Sequence, residues 1–109
     1  MVESDHVSPD GALRFLVRSP DGDITMGFDG YPWHTHGDVL AALSSVSPED
    51  AAKRFVVDLI SNKLVIAVSK VSGTICDIWI TDDLANDLRH CLPEETVEFR
   101  LWDGTKIDP

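Results

Sequence analysis

The 109 residues suit one domain, and a 43% hydrophobic content excludes a charged disordered polymer. Nineteen Asp and Glu against nine Lys and Arg leave a formal charge of −10, which repels nucleic-acid phosphates and anionic lipid heads. Residues 1–109 therefore read as one acidic domain that binds neither nucleic acid nor membrane.

Residues 1–10 are polar and acidic, lack the basic start of an export signal, and are expected to be a flexible N-terminal segment. No unbroken apolar run, 64–68 included, exceeds five residues, far short of a membrane span. Cys76 and Cys91 form no CxxC pair and suit free thiols in a reducing compartment. Together these features give the expectation of a cytoplasmic protein.

Leu13, Phe15 and Val17 alternate with Arg14, Leu16 and Arg18, and Ile24, Met26 and Phe28 alternate with Thr25, Gly27 and Asp29. This period of two predicts strands over 12–18 and 23–29, and Ser19-Pro20-Asp21-Gly22 between them predicts a tight reversal. A loop through Gly30-Tyr31-Pro32-Trp33 leads into His34-Thr35-His36-Gly37-Asp38, after which 39–43 reads as a short helix capped by Asp38.

The main helix is predicted over 48–61, with Ser47 as N-cap, Pro48 at the first position and Asp50 three residues past the cap. Phe55, Val56 and Leu59 recur at helical spacing as its core anchors. Residues 63–71 are β-branched and apolar enough for a central strand, and Ser72-Gly73 turns them back into a strand over 74–80. Thr81, Asp82 and Asp83 open another short helix whose apolar side is Leu84, Leu88 and Cys91, stopped by Pro93. A last strand over 96–102 ends at Asp103-Gly104, which can fold the chain back toward Ile107. The expected fold is α+β: a single mostly antiparallel or mixed sheet of about five strands, with the main helix and one or two short helices packed on it.

Few constellations carry chemistry. His34, His36 and Asp38 fall on alternate positions and in an extended segment could offer three ligands to a divalent metal. A cupin-like site would add a glutamate four or five positions after the second histidine, where Leu40 and Ala41 stand, so no metal and no other cofactor is expected. Instead, Asp38 is assigned to the helix cap and a histidine with Trp33 to the sheet edge. No GxSxG and no phosphate-binding glycine loop is present, and Cys91 beside His90 on a helix points about 100° away from it. The chain is read as a non-enzyme.

Charge is distributed unevenly. Asp77, Asp82, Asp83, Asp87, Glu94, Glu95 and Glu98 face a single base, Arg89, between positions 77 and 98. Such a stretch predicts a negative surface able to dock a basic protein, with Tyr31, Trp33 and Trp102 as aromatic anchors if they lie beside it.

An acidic chain of this length, with an N-terminal hairpin running into Phe28-Asp29-Gly30-Tyr31-Pro32-Trp33-His34-Thr35-His36 and a C-terminal Glu98-Phe99-Arg100-Leu101-Trp102-Asp103-Gly104, resembles small bacterial immunity proteins of polymorphic and contact-dependent toxin systems. The resemblance implies one-to-one, non-catalytic neutralisation of a cognate toxin, often a basic nuclease. Two alternatives stand beside it. One is a small metal-binding protein or enzyme built on His34, His36 and Asp38, and the other is an acidic regulatory domain.

Overall fold

A computed structural model describes residues 3–19 and 22–108, with 43 and 44 described by backbone alone. Strands β1 (Ser4–Val7), β2 (Arg14–Arg18), β3 (Thr25–Phe28) and β4 (His34–His36) pair antiparallel in that order as a first sheet. Two helices follow, α1 (Gly37–Ser44) and α2 (Pro48–Ile60). The second antiparallel sheet contains β5 (Val65–Val71), β6 (Thr74–Thr81), β7 (Glu95–Arg100) and β8 (Lys106–Ile107) in the order β6-β5-β7-β8, with α3 (Leu84–Arg89) between β6 and β7 in the chain.

The α+β class is as expected, but the strands form two sheets of four and not one of about five. Two segments read otherwise complete the first sheet. Residues 4–7, expected to be flexible, pair with β2 in the register Ser4↔Val17 to Val7↔Arg14. Residues 34–36, which lay outside the predicted strands, pair with β3 through Gly27↔His34 and Thr25↔His36. The β2–β3 hairpin thus finds both edge partners locally, and the α1–α2 pair separates it in sequence from β5. Pro20 and Asp21 of the predicted reversal lie outside the described residues.

Both sheets contribute to one core. Phe15, Val17, Met26 and Phe28 of the first sheet join Ile66, Val68 and Ile78 of the second, together with Ala52, Val56 and Leu59 of α2. Val56 and Leu59 are the buried anchors expected, while Phe55 is half-buried and lies with its ring centroid 6.1 Å from that of Phe15. Ser47 caps α2 as its sequence predicts, its hydroxyl accepting the Asp50 N–H at 3.1 Å.

The cap of α1 is placed differently. His36 is its N-cap residue and makes no side-chain cap bond, whereas Asp38 sits in the first turn and accepts the Val39 N–H at 2.9 Å. Packing at Gly37 fixes this start: a Cβ there would lie 2.9 Å from the Pro48 carbonyl oxygen and 3.1 Å from Ile24 Cβ, so only glycine lets the chain enter the helix so close to both.

In the second sheet Ser72 and Gly73 both have positive φ, 52° and 80°, the primed-turn geometry that matches the twist of a two-residue hairpin. Residues 66–69 of β5 are all buried, as a central strand covered on both faces requires. By alternation Ile66, Val68 and Ile78 look into the shared core. Ala67, Ser69 and Phe99 lie on the opposite face, and α3 packs beside β7.

Asp10 and Arg100 tie the two ends of the chain together. The guanidinium donates to Asp10 at 2.8 Å and to the carbonyls of Leu101 and Trp102, each at 3.0 Å. Arg100 foremost, then the Ser8 hydroxyl, holds the Asp10 carboxyl well below the usual carboxylate range. A depressed folded-state pKa stabilises fully above the unfolded value of about 4, and the contribution is lost progressively as pH falls from there through the lower folded-state value. Thermal midpoints of the native protein and Asp10→Asn are expected to differ by a steady gap above about pH 5 that narrows progressively as pH falls below about 4. A gap unchanged through the acid range would remove this pair from the pH dependence of stability.

Candidate functional site

Of the acids that the sequence brackets between 77 and 95, the second sheet's outer face brings together Asp77, Glu95 and, through Thr81, Asp87. Asp77 on β6 stands directly opposite Ser69 on β5. The Ser69 hydroxyl donates to Glu95 at the start of β7, so two carboxylates from different strands border one buried serine. Trp79 and Thr81 follow Asp77 on the same face of β6, and the Thr81 hydroxyl donates to Asp87 of α3. Asp82 and Asp83 occupy the link from β6 into α3, and Glu94 the turn into β7. Glu98 falls on the other face, where it pairs with Lys70 at 3.1 Å.

The bonding of these acids is distinctive. Asp83 accepts the Asn86 N–H at 3.1 Å as the α3 cap, and Asp77 accepts the Ile78 N–H at 2.8 Å. Glu95 also accepts the Leu92 N–H at 3.0 Å; the Ser69 hydroxyl first, and this amide second, hold its carboxyl below the ordinary range. All of these donors are neutral. Among the described residues every ion pair uses another acid, namely Asp5, Asp10, Asp29, Glu49, Asp58 or Glu98. Asp77, Asp82, Asp83, Asp87, Glu94 and Glu95 therefore have no Lys or Arg ion-pair partner among the described residues.

The aromatic residues are arranged differently from expectation. Trp102 is 4% exposed and belongs to the core, so it offers no surface anchor. Tyr31 and Trp33 lie between β3 and β4 on the first sheet, half-buried against the core, with the Trp33 ring centroid 6.2 Å from that of Phe28. The aromatic residue among the acids is Trp79, half-exposed in the row Trp79–Ala67–Phe99–Ile107 that crosses the second sheet. Its signal was present in the sequence as the alternation Asp77, Trp79, Thr81 on a strand whose other side is Ile78 and Ile80.

His34 and His36 do share a side, with ring centroids 5.1 Å apart and planes at 87°. Asp38 does not complete them: its carboxylate turns back on its own helix start, and among the described residues no three His, Cys, Asp or Glu are grouped to hold a metal ion. The Cys91 thiol donates to the Glu95 carbonyl at 3.0 Å, and burial first, then the Glu95 charge, pushes its pKa up, which keeps it protonated and a poor nucleophile. No helix among the described residues is long and apolar enough to cross a membrane.

Comparisons with protein-family models, curated proteins and solved structures found no match for this chain.

Proposed function

We propose that this chain is a non-catalytic inhibitor, an immunity protein that binds a cognate basic bacterial toxin through the outer face of its second sheet. The observation that carries this reading is a set of six acids with no Lys or Arg partner among the described residues, four of which, Asp77, Asp83, Asp87 and Glu95, are held by neutral donors. A protein gains little stability from concentrating unpaired like charge; a cationic ligand would relieve that repulsion and be steered to the face by it. Half-exposed Trp79 supplies the buried contact that charge alone lacks. A toxin that grips phosphates presents the complementary field, and covering its cationic surface would exclude its substrate.

The direct test mixes the purified chain with the C-terminal domain of a large secreted protein encoded immediately upstream of its gene. A one-to-one complex that survives gel filtration and abolishes the toxicity of that domain is expected. A toxic upstream domain that neither binds the chain nor loses activity would overturn the assignment.

A further inference from the structure

We propose that His34 and His36 form an exposed two-histidine chelate for a borderline divalent transition-metal ion such as zinc, nickel or copper. The proposal is independent of the docking surface, which lies on the other sheet. Because β4 is extended, residues two apart project to one side, and the 5.1 Å ring separation places both imidazoles within reach of a single ion. His34 is exposed and His36 half-exposed at the edge of the first sheet.

The outer bonds of the rings are the stronger indication. His34 Nδ1 lies 3.1 Å from the Pro32 carbonyl oxygen. A carbonyl only accepts, so Nδ1 carries the proton and the lone pair of the neutral ring is on Nε2. His36 Nδ1 lies 3.4 Å from the Thr25 hydroxyl, which can accept in the same way. Histidines that bind metals through one nitrogen characteristically donate from the other to an oxygen, which fixes ring and tautomer. His34 has that second bond, and the Thr25 hydroxyl offers the same nitrogen of His36 an acceptor.

The surroundings tolerate a cation. Arg18 stands across Thr25 from His36 in register, but its guanidinium is engaged by Asp5 at 2.7 Å and by the Ser4 and Val17 carbonyls at 3.2 and 2.9 Å. Asp38 is engaged at the start of α1, so water fills the remaining coordination positions. Imidazole ligands select nickel, copper or zinc over magnesium and calcium, and among these ions copper should bind tightest.

The experiment is calorimetric titration of chelator-treated protein with nickel, zinc and magnesium chlorides, with proton NMR of the histidine ring signals. One equivalent of nickel or zinc and no magnesium is expected. His34→Ala and His36→Ala should each weaken binding at least about tenfold, and Thr25→Val, which keeps both rings, by roughly 10-fold or more through loss of orientation. His90→Ala and Asp38→Asn should bind as the native protein does. Circular dichroism and unfolding midpoints matching the native protein would show that the histidine variants have lost ligands and not structure. Absence of nickel and zinc binding at millimolar metal, or equal binding by the His34→Ala/His36→Ala double variant, would overturn the chelate; undiminished affinity in Thr25→Val would overturn the orienting bond.

Discussion

Phe15→Ala is expected to lose about 3–5 kcal/mol of folding stability, the largest effect of any single truncation considered for this chain. Phe15 is completely buried, and the ring is packed edge-on against Phe28 with centroids 5.1 Å apart and tilted against Phe55 at 6.1 Å. It sits in the core that both sheets and α2 share, so its removal opens a cavity bounded by separate elements that cannot all close in on it. Against a total of roughly 5–15 kcal/mol for a domain of this kind, that loss brings the protein close to unfolding at ambient temperature. Phe55→Ala removes a ring of the same size from a half-exposed position and should cost clearly less. Urea midpoints of the two variants measure the difference. Equal midpoints, or a smaller shift for Phe15→Ala, would contradict a core centred between the sheets.

Local chemistry made the hairpins and α2 legible. Ser72-Gly73 specifies its turn because the geometry needs two positive φ angles, and Ser47-Pro48 specifies a helix start because one residue accepts an orphan amide and the next lacks one. Sheet membership was not legible. Alternation at Phe15, Val17, Met26 and Phe28 reports which face is buried, and it is satisfied equally by neighbours in one sheet or by an opposing sheet. Strands β1 and β4 are short and polar at the sheet margins, so Ser4, Asp5, His34 and Thr35 carry little hydrophobic signal.

The same limit governed the site. A run of acids in sequence could be counted, but their meeting depended on the register Asp77↔Ser69 and on the bond from Ser69 to Glu95, which links strands separated by α3. Trp102 was an expected anchor only if it lay beside the acids; the strand ends at Arg100, and beyond it Trp102 joins the core with Ile66 and Val68. Trp79 was not among the predicted anchors, because its exposure depends on the sheet order, which places β6 at an edge.

For the acidic face, the triple substitution Asp82→Asn/Asp83→Asn/Asp87→Asn is expected to slow association with the cognate toxin by roughly 10-fold or more at low salt while leaving dissociation nearly unchanged. Asparagine is chosen because it keeps the oxygen each site uses: at Asp83 it remains a good N-cap for α3, and at Asp87 it can still accept from the Thr81 hydroxyl. The fold should therefore persist, as unchanged circular dichroism would show. The native rate should fall steeply as ionic strength shortens the screening length, and the rate of the triple variant should fall less, since it has less field to screen. Trp79→Ala should behave in the opposite manner, with a near-native association rate and a faster dissociation rate, because an indole contributes only after water has been expelled around it. Stopped-flow or surface binding across a salt series reads both effects on one partner. If the triple variant associated at the native rate and with the native salt slope, the acids would be a solvated face and docking would have to occur elsewhere; if Trp79→Ala left dissociation unchanged as well, the outer face of the second sheet would be excluded altogether.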